Sequence, residues 1–278
     1  DLHLHALSCH YRGPGADEGR ALFLQTSPEY AMKRLLAAGS GAIYQICKVF
    51  RDGERGRCHH PEFSLLEWYR PGWGLEQLMA EVADLVRMAL GQPDRPVEIL
   101  GYRYLFLSRL GLDPFRVQTT ELKACALAQG ILGAEGLDLD RDGWLDLLLT
   151  HCLEEGLGRG RLTFIRDYPP SQAALARIRP GPDPVAERFE LYLEGMELAN
   201  GFQELTDARE QRHRFEQDQA SRREQGLAVP PLDNSFLAAL AAGLPASSGV
   251  ALGLDRLLMV ITGASHIDQV LAFPIERA

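Results

Sequence analysis

The chain of 278 residues has few cysteines and no long apolar run. Its five cysteines are odd in number and lack the CxxC spacing of zinc and redox sites. This pattern indicates free thiols in a reducing compartment and excludes a disulfide scaffold. We find no signal peptide and no apolar stretch of the length that a bilayer requires. The sequence therefore predicts a cytoplasmic protein with no membrane partner.

Positive charge is also scarce, since 29 lysines and arginines face 38 acidic residues, which gives a formal net charge of −9. A non-specific nucleic-acid binder needs a broad basic surface, so this balance excludes that class and leaves room only for a local basic pocket. The chain lacks the Gly-Lys-Ser/Thr of a P-loop and the motif of a nucleophile elbow. We therefore expect neither P-loop phosphate binding nor a Ser-His-Asp triad.

Strand-favouring and helix-favouring runs are both present, and the 46% hydrophobic content is enough to bury a core. The runs "AIYQICKVFR" and "PEFSLLEWY" predict an antiparallel pair joined by a polar loop, and "ERFELYLEGMELANGF" predicts a second hairpin. "GLEQLMAEVADLVRMALG" has helical periodicity, and the chain from about Tyr102 to Gly158 looks mainly helical. We predict a single domain, residues 1–278, with an α+β fold in which helices flank an antiparallel sheet.

Shorter signals complete this outline. Ser27 and Pro28 are helix-start residues, and Gly39 ends the short helix that follows them. "RLTFI" predicts a strand, and "TDAREQRHRFEQDQASRREQG" predicts a charged, exposed helix. "SSGVALGLDRLLMVITG" predicts a glycine-marked strand that leads into a helix. "GPGADEG", Gly13–Gly19, predicts a turn or mobile loop.

The loop of the first hairpin carries Arg51, Arg55 and Arg57, with Lys48 nearby. Arginine forks bind phosphate and carboxylate oxygens in bidentate fashion, so the loop predicts an anion clamp. The alternative is a solvated charged face. A zinc site is a weaker hypothesis, because the adjacent Cys58, His59 and His60 point in different directions and no second cluster has zinc spacing.

Alternation along the second strand of this hairpin places Phe63, Leu65, Glu67 and Tyr69 on one face. The aromatic ring in this row could stack on a flat base. The carboxylate and the phenol could bind an ammonium group. The alternative is a half-buried strand in which Glu67 lies at a solvent-exposed edge.

The second hairpin brings two carboxylates together. A two-residue turn at Glu194-Gly195 places Tyr192 opposite Glu197, with Glu190 on the same face. A cross-strand diagonal of about 7–8 Å lets two carboxylates share Mg²⁺, with phosphate oxygens completing its shell. The alternative is an acidic strand that faces solvent.

Glycines mark the last predicted strand. Gly249 and Gly253 allow a ligand to approach the backbone closely, and Arg256 starts the following helix. The alternative for Arg256 is a surface arginine paired with Asp255.

These segments, in this order, resemble the catalytic domain of class II aminoacyl-tRNA synthetases. "VFRDGERGRCHHPEFSLLEWY" is similar to motif 2 and "GVALGLDRLLM" to motif 3. "TSPEY", "ELANGFQELTDARE" and "TFIRDYPPSQAALA" resemble the lysyl branch. Within that branch, "SPEYAMKRLL", "VAERFELYLEGMELANGFQELTDARE" and "SSGVALGLDRL" resemble the elongation factor P lysine ligases, which lack the anticodon-binding domain of lysyl-tRNA synthetases.

The resemblance implies an activity: ATP-dependent activation of (R)-β-lysine and its transfer to a lysine of elongation factor P, with Mg²⁺, by a homodimer that does not use tRNA. It implies that Arg51 bridges the substrate carboxylate and the α-phosphate, and that Phe63 and Arg256 sandwich the adenine. The other implied ATP contacts are Asp52, Gly53, His59, His60, Glu190, Leu191 and Gly253. Glu190 and Glu197 are the implied Mg²⁺ ligands. The implied amino-acid pocket comprises Ser27, Pro28, Glu29, Glu67, Tyr69, Glu197, Asn200, Glu204 and Ala251.

Three positions depart from common family patterns or distinguish its branches. The family often has asparagine at His60 and glutamate at Gly53. Lysyl-tRNA synthetases have glycine where this chain has Ala251, and the ligases have alanine, so the extra methyl is expected to disfavour α-lysine. Motif 1, which forms the dimer, would precede Asp1.

Two other functions stay open: a truncated lysyl-tRNA synthetase core that charges tRNA, and a silent paralogue that regulates by binding.

Overall fold

The computed structural model describes residues 4–15 and 19–278. The chain forms two compact units, which we call the first unit (residues 1–72 and 206–278) and the second unit (residues 73–205). Part of the turn predicted at Gly13–Gly19 falls on residues 16–18, which lie outside the described residues. The single-domain organisation stays a prediction.

Ten strands and eight α-helices are formed by the described residues. The strands are β1 Ser8–Tyr11, β2 Arg20–Phe23, β3 Ile43–Phe50, β4 Glu62–Pro71, β5 Val97–Gly101, β6 Leu162–Tyr168, β7 Ile178–Arg179, β8 Val185–Leu193, β9 Met196–Gln203 and β10 Ser247–Gly253. The helices are α1 Glu29–Ala37, α2 Leu75–Leu90, α3 Tyr102–Leu110, α4 Thr119–Ala128, α5 Arg141–Leu148, α6 Ala208–Glu224, α7 Asn234–Gly243 and α8 Leu254–Thr262.

The first unit is organised around three antiparallel strands in the order β3-β4-β10. The predicted first hairpin is confirmed, with β3 and β4 paired from Ile43 opposite Tyr69 to Phe50 opposite Glu62. Strand β10 pairs with the other side of β4 and leads directly into α8, as predicted. The register therefore fixes which side chains of the three strands lie beside one another.

The second unit has the strand order β9-β8-β6-β5, with the short β7 also paired to β8. Its pairs are antiparallel except for β5 and β6, which run parallel. The predicted α+β fold with helices and a mainly antiparallel sheet is confirmed, and β5–β6 is the exception to the antiparallel pairing. Parallel neighbours need a long crossover, and the helical region between β5 and β6 supplies it.

The second hairpin has the predicted two-residue turn, in which Glu194 (φ 51°) and Gly195 (φ 74°) both have left-handed backbone conformations. Two successive left-handed residues are typical of a type I′ turn, whose twist matches the paired strands. Tyr192 lies opposite Glu197, as predicted, but the register shifts by one residue after this pair. The shift places Glu190 opposite Asn200.

The core of the second unit lies under the helical region between β5 and β6. Tyr102 of α3 stacks on Phe106 at 4.7 Å and packs against Tyr168 of β6 at 4.6 Å, measured between ring centroids. Trp144 and Leu145 of α5 are buried in the same cluster. The hydroxyl of the buried Tyr168 reaches Glu190, one of the predicted site residues.

Helix α2 confirms the predicted helical periodicity, since its apolar residues Leu78, Met79, Val82 and Val86 are buried. It ends at Gly91, which takes the left-handed conformation of a helix C-terminus. Across the described ranges, none of the helices combines the length and apolarity that crossing a membrane would require.

Candidate active site

One face of the β3-β4-β10 strands collects several predicted site residues. Glu67 lies opposite Ala251 on β10 and opposite Gln45 on β3. On the same face, Tyr69 lies opposite Gly249 and Leu65 opposite Gly253. The β10 residues on this face thus carry a methyl group at most, and the neighbouring β4 residues carry the functional groups.

Glu67 is buried, with 2% of its surface exposed, and it accepts two hydrogen bonds. Ser27 Oγ donates to Oε2 at 2.8 Å, and the Tyr69 hydroxyl donates to Oε1 at 2.6 Å. Burial, together with the charge of Glu29, raises the pKa of Glu67 to about 7, although both hydrogen bonds and Lys33 act in the opposite direction. The carboxyl is therefore poised to lose its proton when a cation binds beside it.

The predicted helix start is confirmed, because α1 begins at Glu29 immediately after Ser27 and Pro28. Ser27 Oγ accepts a hydrogen bond from the Glu29 amide at 3.0 Å, so the same hydroxyl links α1 to Glu67. Glu29 forms a 2.6 Å ion pair with Lys33, whose side chain is 1% exposed. Sequence reasoning missed Lys33, although its place four residues after Glu29 on one helix face was a usable signal.

Arg51 follows β3 and lies against the ring that is predicted to carry adenine. Its guanidinium carbon is 5.0 Å from the centroid of Phe63. Nε donates to the Thr26 carbonyl at 3.3 Å, and Nη1 contacts Glu54 at 3.4 Å. Arg51 and Phe63, which the sequence placed at opposite ends of a loop, are thus neighbours.

Arg256 lies in the first turn of α8 and contacts the same loop. Its Nε donates to the Cys58 carbonyl at 3.1 Å, and Nη2 lies 2.8 Å from His59 Nε2. Burial and the charges of Arg256 and Arg51 lower the pKa of His59, so at neutral pH the unprotonated ring nitrogen can accept a hydrogen bond from Arg256. Asp255, the alternative partner considered for Arg256, accepts a 2.5 Å hydrogen bond from the Ser64 amide and ties α8 to β4.

The remaining predicted residues of this loop have different surroundings. Asp52 and Gly53 are exposed, and the Asp52 amide donates to the His5 carbonyl at 2.7 Å. His60 is 4% exposed, and both ring nitrogens are engaged: Nδ1 lies 2.6 Å from the Glu62 carbonyl, and Nε2 accepts from the Ile275 amide at 2.9 Å. Arg55 points to Asp268 and Glu276, so it does not join Arg51 in a common cluster.

In the second unit, Glu190 is buried at the centre of a hydrogen-bond network. Its Oε2 accepts from the hydroxyls of Tyr168 at 2.7 Å and Tyr192 at 2.6 Å, and its Oε1 accepts from Arg188. The Arg188 guanidinium also stacks over Tyr168, 4.5 Å from the ring centroid. These three donors fix the orientation of the carboxylate. Sequence reasoning missed both donors. The contact of Tyr168 depends on the pairing of β6 with β8, whereas Arg188 lies two residues before Glu190 on the same strand, and this spacing was a usable signal.

The register shift in the second hairpin brings Asn200 into the face of Glu190 and Tyr192. Asn200 Oδ1 is buried and has no hydrogen-bond partner in the part of the chain that the structure describes. A buried amide oxygen without a donor is costly, so this atom is suited to accept from a bound ligand. Leu191 is fully buried opposite Ala199, and the buried Glu204 forms an isolated antiparallel bridge with Ala176 through its backbone.

The carboxylates of this hairpin are compatible with Mg²⁺. A carboxylate has about four lone-pair directions, and Glu190 uses three of them for Tyr168, Tyr192 and Arg188. One direction on Oε1 remains, and Glu197 on the adjacent strand is partly exposed. Within the described ranges no cluster of three or more His, Cys, Asp or Glu residues could hold a metal alone. Most ligands of an ion at Glu190 and Glu197 would therefore come from phosphate and water.

Comparison with known proteins gives one consistent result. Residues 11–277 match the family model of class II tRNA synthetases (D, K and N). The elongation factor P--(R)-beta-lysine ligases of Klebsiella pneumoniae (strain 342) and Salmonella typhi are each 49% identical over 278 residues. That of Salmonella paratyphi B (strain ATCC BAA-1250 / SPB7) is 48% identical over the same length. In each case the match covers 100% of this chain and 85% of the relative. The chain therefore belongs to the class II tRNA synthetase family that includes the D, K and N enzymes.

Proposed function

We propose that this protein uses ATP to activate (R)-β-lysine and transfers it to a lysine side chain of elongation factor P. Three relatives at 48–49% identity over the whole chain are named elongation factor P--(R)-beta-lysine ligases, which supports the amino acid and the acceptor of this proposal. The structural observation that supports the proposal most directly is the Glu67–Ala251 pair. It sets a buried carboxylate and a methyl group side by side on one face of the β4–β10 pair.

Glu67 is suited to hold an ammonium group of the amino acid. Its carboxyl is buried and already oriented by Ser27 and Tyr69, so a bound cation would meet a fixed acceptor. Pro28 and Glu29, which follow Ser27 at the start of α1, are further proposed contacts of the amino acid. Glu197, Glu204 and Asn200 of the second unit are also proposed contacts of the amino acid, and the Asn200 oxygen is buried without a donor among the described residues.

The ATP contacts are assigned by the same argument from chemistry. Phe63 offers a ring face for adenine. Arg51, at the start of loop 51–61, and Arg256, which contacts Cys58 and His59 of that loop, offer guanidinium groups. Asp52, Gly53, His59, His60, Leu191 and Gly253 are further proposed contacts. Burial keeps His59 neutral, which suits hydrogen bonding more than charge pairing.

The proposed reaction has two steps. The carboxylate of (R)-β-lysine attacks the α-phosphorus, the bond to the bridging oxygen breaks, and pyrophosphate leaves with the electron pair. The ε-amine of the acceptor lysine then attacks the carbonyl carbon of the adenylate, loses a proton, and expels AMP. Arg51 stabilises the charge on the α-phosphate in the first step, and positioning supplies much of the rate. Mg²⁺ held by Glu190 and Glu197 would neutralise phosphate charge.

Pyrophosphate exchange with (R)-β-lysine and α-lysine side by side tests the first step. We expect exchange with both isomers and a preference for (R)-β-lysine. Incubation with elongation factor P or with tRNA, each followed by mass analysis, tests the acceptor. Exchange with neither isomer would favour the silent regulatory paralogue, and efficient charging of tRNA with α-lysine would favour a truncated synthetase core. We further propose that the protein is a homodimer in the cytoplasm. Sedimentation at several protein concentrations would check the homodimer.

A further inference from the structure

Within the first unit, loop 51–61 is tied to a segment that is more than 200 residues away in sequence. The Arg55 guanidinium makes a bidentate contact with Asp268, with Nη1–Oδ1 at 2.9 Å and Nη2–Oδ2 at 2.7 Å. Its Nε donates to Glu276 Oε1 at 2.8 Å. We call residues 266–277 the strap.

Backbone groups reinforce the same attachment. The Ile267 amide donates to the Arg57 carbonyl at 2.9 Å, and the Ile275 amide donates to His60 Nε2 at 2.9 Å. The strap is also held internally, because Arg277 Nη2 donates to the Asp268 carbonyl at 3.3 Å. Loop 51–61 is therefore attached to the strap at three of its residues, which are Arg55, Arg57 and His60.

The loop in turn carries the contacts of Arg256. The Cys58 carbonyl and His59, which hold the Arg256 guanidinium, lie between Arg57 and His60, two residues bound by the strap. Arg51 stands at the start of the same loop, against Phe63. A continuous set of contacts thus runs from the strap to the arginines that are assigned to ATP.

Arg55 itself is poorly placed to bind phosphate. Each of its three nitrogens already contacts a carboxylate, and Nη2 lies 2.7 Å from both Asp268 and Glu276. To reach a phosphate, the side chain would have to leave two acidic partners at once. Those partners also place negative charge beside it, which would oppose the approach of a triphosphate.

We propose that Arg55 is a positioning residue for ATP. Through Asp268 and Glu276 it holds loop 51–61 in the conformation that presents Arg51, His59 and Arg256. This inference rests on the proposed ATP-binding function. A loop that is ordered before the ligand arrives loses less conformational entropy on binding, so Arg55 acts on ATP affinity without touching ATP.

Arg55→Met should raise KM for ATP about tenfold, with little change in kcat or in KM for the amino acid, because only preorganisation of the ATP loop is lost. Asp268→Asn combined with Glu276→Gln should do the same, and Arg55→Lys should recover part of the loss. Arg161→Met is a matched control, since it removes an exposed arginine paired with Glu98 at 3.2 Å in the second unit. This control should leave all three parameters unchanged.

Amide hydrogen exchange gives a readout that needs no activity. In Arg55→Met, residues 51–61 and 266–277 should both exchange faster, whereas in Arg161→Met neither should change. If the Asp268/Glu276 variant keeps the wild-type KM for ATP while Arg55→Met loses it, Arg55 contacts ATP directly and the positioning role is wrong. Amide exchange could rise in both segments of Arg55→Met while neither the wild-type protein nor any variant uses ATP. In that case Arg55 links loop 51–61 to the strap, but the proposed function is wrong.

Discussion

Ala251 lies directly opposite Glu67 in the antiparallel pairing of β4 and β10. Directly opposed residues on one face have Cβ atoms about 4.5–5.5 Å apart, so the methyl of Ala251 borders the carboxylate that is proposed to hold the substrate. Under the proposed function, the size of residue 251 would therefore set the position of the substrate amino group relative to Glu67. Three predictions concern Ala251 and Glu67, and two further predictions concern the second unit.

Ala251→Gly should shift the preference toward α-lysine. One methyl in a pocket is typically worth about 1–3 kcal/mol, so the ratio of kcat/KM values for the two isomers should change by about 10–200-fold. Pyrophosphate exchange with each isomer measures this ratio. Ala242→Gly, an exposed change in α7, is the control and should leave the ratio as it is. An unchanged ratio in Ala251→Gly would remove residue 251 from the selectivity argument.

Amino-acid binding should depend on pH through Glu67. Burial raises the pKa of this carboxyl to about 7, so in the ligand-free protein Glu67 is largely protonated at pH 6. An ammonium group that binds beside Glu67 displaces this proton. The affinity for the amino acid should rise with pH up to about 7 and should no longer change near pH 8. Calorimetry in buffers of different ionisation enthalpy should show proton release at pH 6 that approaches one per site. In Glu67→Gln the proton release should vanish, and if it persists another group is responsible.

The same pKa has a consequence for folding stability. A carboxyl whose pKa is 4.5 when unfolded and about 7 when folded binds its proton more tightly in the folded state. Its contribution to stability is therefore full below pH 4.5 and decreases as the pH rises to 7, by roughly 3 kcal/mol at most. Urea unfolding from pH 5 to 8 should show a smaller decrease for Glu67→Gln than for the wild-type protein. Parallel pH profiles would mean that Glu67 is charged at neutral pH.

Substitution of the hairpin carboxylates should change the Mg²⁺ requirement. Glu197→Gln should raise the Mg²⁺ concentration needed for half-maximal exchange by about tenfold, because one anionic ligand is lost. Glu190→Gln should act similarly and should also perturb Tyr168, Tyr192 and Arg188, which all donate to this side chain. Glu155→Gln is a control of the same type, with a side chain that is 92% exposed. Equal Mg²⁺ curves for all three variants would contradict the metal assignment.

Gly158→Ala should destabilise the second unit strongly. Gly158 has φ +71°, and an added Cβ would lie 2.5 Å from both Leu193 Cα and the Tyr192 carbonyl oxygen. Gly160 has a similar φ of +67° but nothing within 4 Å of its would-be Cβ, so Gly160→Ala isolates the backbone strain. We expect about 1 kcal/mol for Gly160→Ala and at least about 3 kcal/mol for Gly158→Ala in denaturant unfolding. Equal losses would mean that the backbone near Leu193 can move away at little cost.

Local patterns were sufficient to predict both hairpins. The two runs around the arginine loop alternate in the way that paired strands require, and the turn at Glu194-Gly195 contains a glycine at a left-handed position. The start of α1 after Ser27 and Pro28 was also readable, because such residues are common at helix N-termini. Resemblance to family motifs then assigned roles to Arg51, Glu67 and Arg256. The structure places Arg51 on Phe63 and Glu67 between Ser27 and Tyr69.

The parallel β5–β6 pair was not predictable in the same way. Strand β5 is short and follows a long helix, so nothing local indicates its partner. The one-residue shift that sets Glu190 opposite Asn200 also has no clear signal in the sequence. Both features depend on how strands settle against a core, and the free energy of that packing is distributed over residues far apart in the chain.

The sequence by itself determined the hairpins, the order of the motifs and the family, because these depend on residue types at short spacing. Tertiary structure decided which charges meet. Burial at Glu67 raised its pKa, three donors oriented Glu190, and the strap turned Arg55 away from the arginine cluster that the sequence had predicted. Electrostatic energies depend on distance and burial in space, and neither quantity can be read from positions along a chain.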